Sequence, residues 1–115
     1  MQSVQRLKTR AEFQAVMACG IAARTAHFAL HRMPHPGPTL GLVIPKRWAK
    51  RAVTRNTIKR QAYSVSQDVT LPASAYVVRL RAGFTGFRSA TSATFKRAVR
   101  AELQQLFAQV AKVAA

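Results

Sequence analysis

Within the six residues Arg55-Asn56-Thr57-Ile58-Lys59-Arg60 stand three cations and an amide. The segment holds neither glycine nor proline, so a helix is allowed. At about 100° per residue, Arg55, Asn56, Lys59 and Arg60 share one broad polar arc, with Ile58, Ala62 and Val65 opposite. Lys46, Arg47, Lys50 and Arg51 lead into that arc, making seven cations in the fifteen residues 46–60. Guanidinium groups grip phosphate bidentately and ammonium groups act as point charges, so such a cluster gives sequence-independent affinity for a polyanion. Asn56 is a mediocre helix former whose amide can hydrogen-bond a base, a sugar hydroxyl or a phosphate.

Groups that break bonds are scarce. A two-metal nuclease surrounds its ions with several carboxylates; here Glu12, Asp68 and Glu102 are the only ones and lie far apart in sequence. His27 and His31 fall on one face of an expected strand. No Cys, Asp or Glu stands near them in sequence to complete a metal site or to orient an imidazole, so they read as RNA contacts or as packing. His35, between prolines, reads as solvent-exposed. No glycine-rich phosphate loop, serine elbow or zinc spacing occurs. No catalytic residue and no metal ligand is assigned, and the chain by itself reads as a binder.

Composition agrees. With 115 residues and 49% hydrophobic content, residues 1–115 read as one domain with its own core. Against 19 Lys plus Arg there are 3 Asp plus Glu, a formal net charge of +16. Self-repulsion of that size is relieved by an anionic partner, nucleic acid first and an anionic membrane second. Cys19 is the only cysteine, which excludes an intramolecular disulfide, suits a reducing cytoplasm and reads as a small core residue. The N-terminus carries Arg6, Lys8, Arg10 and Glu12 instead of a signal peptide's apolar stretch. No 18-residue apolar run is present, so no membrane span is expected.

The elements that must hold these groups follow from pattern. Thr9-Arg10-Ala11-Glu12 is a capping box opening a short helix striped by Phe13, Val16 and Met17 and stopped at Gly20. Ala26 to Arg32 alternates as a strand, Phe28, Leu30 and Arg32 against His27, Ala29 and His31. Prolines 34, 36 and 38 with Gly37 make a turn, and Leu40 to Ile44 a second strand ended by Pro45. The basic helix runs from about Trp48 or Arg51 to Gln67, a strand from Tyr76 to Arg81, and a last helix from Ala93 to Lys112 with Ser92 as N-cap. A further short strand is expected in 20–25 or 82–90. The order implies a single-domain α+β two-layer sandwich, a mixed sheet of about four strands packed with helices. Phe13, Phe28, Trp48, Tyr63, Phe84 and Phe87 are available to stack on splayed bases.

At these residues the chain resembles the protein component of bacterial ribonuclease P. Residues 55–60 look like the family's Arg-Asn-x-x-Lys-Arg signature. They are preceded by Gly41-Leu42-Val43-Ile44, Lys46-Arg47 and Ala52-Val53, with Arg6-Leu7, Glu12-Phe13 and Val16 upstream and Tyr76-Val77-Val78-Arg79 downstream. The resemblance implies a left-handed βαβ crossover around the basic helix, a rare exception to the right-handed rule. It also implies the activity: binding a catalytic RNA that removes the 5′ leader of precursor tRNA with Mg2+, the chemistry residing in the RNA. Carried over, Lys46, Arg47, Arg55, Asn56, Lys59 and Arg60 contact the catalytic RNA, with Lys50 and Arg51 in the same cluster. Phe13 and Phe28 line a leader cleft, Met17 and His31 stand where the family often has aromatics, and Tyr63 is a further aromatic for that cleft. Thr57 replaces a commoner arginine, and Pro45 and Trp48-Ala49-Lys50 a commoner Ser- and Gly-containing stretch. These departures suggest a cleft that grips phosphates more than bases. The partners expected are the catalytic RNA and precursor tRNA, with no membrane and no obligate protein partner. No cofactor is expected on the protein itself; Mg2+ belongs to the RNA. The alternative is a structural RNA-binding protein of the ribosome without a cleavage role. A DNA-binding regulator fits less well, since strands flank the basic helix.

Overall fold

The computed structural model describes residues 4–86 and 92–113. The capping box forms as the sequence dictates: the Glu12 amide donates to Thr9 Oγ1 at 3.2 Å, and the Thr9 amide donates to Glu12 Oε1 at 3.1 Å. These bonds, the Thr9 hydroxyl above all, hold the Glu12 carboxyl below its usual pKa. The helix so started, α1 (Arg10–Ala18), follows a two-residue strand β1 (Gln5–Arg6). After it come β2 (Ile21–Arg24), β3 (Phe28–Pro34), β4 (Thr39–Val43), α2 (Ala52–Asp68), β5 (Ser74–Leu80) and α3 (Ala93–Val113). Ser92 caps α3, its hydroxyl accepting from the Phe95 amide at 3.1 Å.

The sheet has five strands rather than about four, ordered β1-β4-β5-β3-β2. β2 is the short strand anticipated in 20–25; residues 87–90 of the other candidate stretch lie outside the described residues, as does the aromatic Phe87. β1 is added by pairing alone, Gln5 beside Thr39 and Arg6 beside Leu40, in parallel. The Gln67 side-chain amide binds both the N–H and the carbonyl of Val4 at 3.3 Å and ties this edge to the end of α2. β4 and β5 pair in parallel with α2 as their crossover, and β3 pairs antiparallel with both β5 and β2.

Strand alternation sends two sets of side chains to two faces. Phe28, Leu30, Leu40, Tyr76, Val78 and Leu80 point to the face covered by α2 and α3 and are buried there. This layer pair is the sandwich the pattern implies. α1 covers part of the opposite face, burying its Val16 against Leu7, Ala75 and Val77, with its Phe13 and Met17 partly buried against the same cluster. Asp68 and Arg100 lock α2 to α3 by an ion pair of 2.6 Å. Cys19, read as a core residue, is exposed at the end of α1; the helix stripe of Phe13, Val16 and Met17 passes it by.

Gly41 is where α1 meets the sheet. A Cβ there would stand 2.6 Å from Phe13 Cζ and 3.0 Å from Leu7 Cδ1. Gly41→Ala should lift the Phe13 ring off β4 and destabilise the chain by about 1–3 kcal/mol, measured as a shift of the urea midpoint; an unshifted midpoint would contradict this packing.

Candidate nucleic-acid interface

α2 is glued down along Ile58, Ala62 and Val65, all at or below 1% exposure. That anchoring turns Asn56, Lys59 and Arg60 outward, where all three are exposed. Lys46, Arg47, Lys50 and Arg51 are exposed on the turn and approach just before the helix. The first turn of α2 has no acidic residue, and its N-cap, Arg51, makes no side-chain capping bond. The helix dipole and four cations therefore add at one end, an arrangement that favours an anion.

Two hollows flank the Asn56–Arg60 ridge. One, of about 480 Å³, is lined by Arg6, Asn56, Lys59, Arg60 and Tyr63. The Arg6 guanidinium lies 4.2 Å from the Tyr63 ring centroid, a cation–π contact that presents a flat cationic surface for a base or phosphate. Burial raises the Tyr63 phenol pKa, opposed by the charge of Arg6. The other hollow, of about 320 Å³, is lined by Val53, Asn56, Thr57, Arg60, Gln61 and Lys96. Thr57 is buried at 8% exposure and donates its hydroxyl to the Val53 carbonyl at 2.9 Å. The place where the chain departs from the signature thus faces inward.

Arg55 sits differently from its neighbours. It is half-buried, and its Nη1 donates to the carbonyls of Ala49 and Lys50 at 3.0 and 2.9 Å. Its first task is to clamp the approach turn against the helix.

The expected leader cleft is assembled only in part. Phe13 and Met17 pack on the α1 face of the sheet, and His31, in register with Val77, lies on that same face. Phe28 does not join them: it is fully buried on the opposite face, because the alternation that puts His31 under α1 puts Phe28 under α3. Tyr63 is also elsewhere, on α2 beside Arg6. His31 is 5% exposed; its Nδ1 lies 2.8 Å from the Gly20 carbonyl, and Arg79 Nε lies 3.4 Å from its Nε2. Donation from Nδ1 to the carbonyl leaves Nε2 as acceptor for the guanidinium. Arg79 and Arg6 stand in the family resemblance but were assigned no binding role from sequence, and Lys96 was not singled out. Arg79 had a usable signal, a lone cation on the same strand face as Val77 in an otherwise apolar run.

The two histidines are not a pair. His27 precedes β3, stacks on Phe84 at 4.0 Å and binds Glu102 through Nδ1 at 2.7 Å. A carboxylate does orient this imidazole, from 75 residues away, which sequence proximity could not reveal. His35, expected to be solvent-exposed, is half-buried, with its Nδ1 2.7 Å from the Gly37 carbonyl.

All three carboxylates are thus consumed internally: Glu12 in its cap, Asp68 on Arg100, and Glu102 on His27 and the Thr25 hydroxyl. Among the described residues no three His, Cys, Asp or Glu converge as a metal site, and no helix is long and apolar enough to cross a membrane. The one carboxylate of α2, Asp68 at its last residue, is paired with Arg100, and among the described residues no carboxylate pairs with Lys59 or Arg60.

The profile of the ribonuclease P family matches residues 1–111. The ribonuclease P protein component of Bordetella parapertussis is 39% identical over 117 residues, spanning 93% of this chain and 92% of that one. The Ralstonia pickettii protein of the same name is 42% identical over 106 residues, spanning 89% and 76%. The Staphylococcus aureus RNase P protein, solved at 2.0 Å, superposes with a TM-score of 0.67 at 22% identity, covering 96% of this chain and 95% of that one, and so shares the fold. These matches support the reading made from the signature and not the ribosomal one. The chain belongs to the ribonuclease P protein family, the protein component of the ribonucleoprotein enzyme that processes the 5′ end of tRNA.

Proposed function

We propose that the α2 ridge of Asn56, Lys59 and Arg60, with the approach Lys46, Arg47, Lys50 and Arg51, binds the catalytic RNA subunit. The α1–sheet cleft of Phe13, Met17, His31 and Arg79 holds the single-stranded 5′ leader of precursor tRNA. The observation that carries this reading is the disposal of the carboxylates: each is engaged by a partner within the chain, and among the described residues none pairs with Lys59 or Arg60, so the ridge is left as uncompensated cation. A protein so built neutralises RNA and positions substrate without performing bond cleavage. Screening the repulsion between two RNAs lowers the demand for Mg2+, which the RNA subunit holds. The half-buried Phe13 and Met17 offer the leader limited stacking surface, while Arg79 beside His31 offers a phosphate ligand. Such a protein acts in the cytoplasm, where precursor tRNA is made.

Adding the chain to a bacterial ribonuclease P RNA at low Mg2+ should restore leader removal and tighten binding of leader-bearing substrate. Equal cleavage and equal substrate affinity with and without protein, across Mg2+ concentrations, would refute the proposal.

Lys59→Ala and Arg60→Ala should each weaken RNA-subunit affinity about tenfold and lower the salt slope by about one counterion. Arg55→Ala should weaken it while changing the slope less, since its guanidinium clamps the turn, and Arg55→Lys should not restore it. Filter binding across a salt series checks this; slopes and affinities unchanged in Lys59→Ala and Arg60→Ala would displace the interface from α2.

A further inference from the structure

Trp48 is the only tryptophan of the chain and is 39% exposed. Among the described residues the other large exposed hydrophobics are Ile21 and Val53, so this is the one big aromatic ring left at the surface. Its surroundings are cationic: Lys46, Arg47, Lys50 and Arg51 are all exposed beside it in sequence. The Arg47 guanidinium stands 5.6 Å from the ring centroid. An apolar ring ringed by like charges repels a second copy of this chain and most basic partners. A nucleotide satisfies both features, with phosphate for the cations and a π face for the indole.

The ring is presented by a turn held on three sides. The amides of Trp48 and Ala49 donate to the Pro45 carbonyl at 3.1 and 3.2 Å, and the Ala49 side chain is buried. Arg55 grips the next two carbonyls from α2. Gly83 passes beneath, so close that a Cβ there would lie 3.1 Å from the Trp48 carbonyl oxygen. A ring on so constrained a backbone loses little entropy when it stacks. The turn leads directly into α2, which carries the ridge from Asn56 onward, so the indole lies one short segment away in the chain from that surface. A paired base offers its faces to its neighbours in the helix, whereas an unpaired one has a face free for an aromatic side chain.

We propose that Trp48 is a stacking platform for one unpaired base of the RNA subunit, with Arg47 taking an adjacent phosphate. This rests on the α2 ridge binding that RNA, and it adds a base contact to what is otherwise a phosphate interface.

The full chain is titrated with a bacterial ribonuclease P RNA and, separately, with a single-stranded oligonucleotide of leader length. Trp48 emission and the anisotropy of end-labelled RNA are read together. The RNA subunit should quench the emission in step with complex formation, and the oligonucleotide should leave it unchanged. Trp48→Ala, with an unaltered circular dichroism spectrum, should bind the RNA subunit about tenfold more weakly at an unchanged salt slope, because no cation is lost. Trp48→Phe should restore affinity to within about twofold, since a π face remains. Complex formation by anisotropy without quenching overturns the stacking site while leaving the ridge intact, as does wild-type affinity in Trp48→Ala. Quenching by the leader oligonucleotide alone overturns the assignment to the RNA subunit. Absence of any complex overturns the ridge and the platform together.

Discussion

The carboxylates of Glu12, Asp68 and Glu102 each close a joint of the fold, and that commitment leaves the basic ridge of α2 without a paired anion. Glu12 starts α1, Asp68 fastens α2 to α3, and Glu102 pins the segment entering β3 to α3 through His27 and Thr25. With 19 cations against 3 anions, no pairing scheme inside the chain can neutralise the surface. Each anion acts where it joins two segments, and the repulsion that remains is concentrated on α2 and its approach, where an RNA can relieve it.

Such a helix has to be held by something other than its own polar face. Ile58, Ala62 and Val65 supply the hold through burial against the sheet and α3. The arginines divide between two duties. Arg100 reaches from α3 to Gln61, Ser64 and Asp68, and Arg55 reaches back to the approach turn. Both are inward-looking and build the platform, while Lys59, Arg60 and Asn56 remain outward. The signature is therefore composite: one of its cations shapes the surface that the others present.

Much of this was legible from local pattern. The phase of α2 follows from three apolar residues at helical spacing, and the capping box marks the start of α1 within a residue. The grouping of Phe28 with Leu30 and Arg32 on one strand face also holds. Which face that would be was not legible, because alternation is symmetric; the docking of α2 and α3 decides it, and sends Phe28 into the core instead of the leader cleft. β1 has two residues and no periodicity of its own, so only its partners Thr39 and Leu40 define it. The Glu102–His27 contact spans 75 positions and leaves no trace in spacing. Tyr63 misled for a related reason: its type suits stacking, but its position on α2 places it under Arg6.

On the proposed reading, RNA affinity depends on the ridge being free of negative charge, and not on net charge alone. Asn56→Asp and Gln105→Glu, the second at an exposed site on α3, both lower the formal charge from +16 to +15 (16 − 1 = 15). The most direct test compares their affinities for the ribonuclease P RNA subunit at one fixed salt concentration. A loss of about tenfold or more is expected for Asn56→Asp, and a change within about twofold for Gln105→Glu. Equal losses in the two variants would contradict that reading.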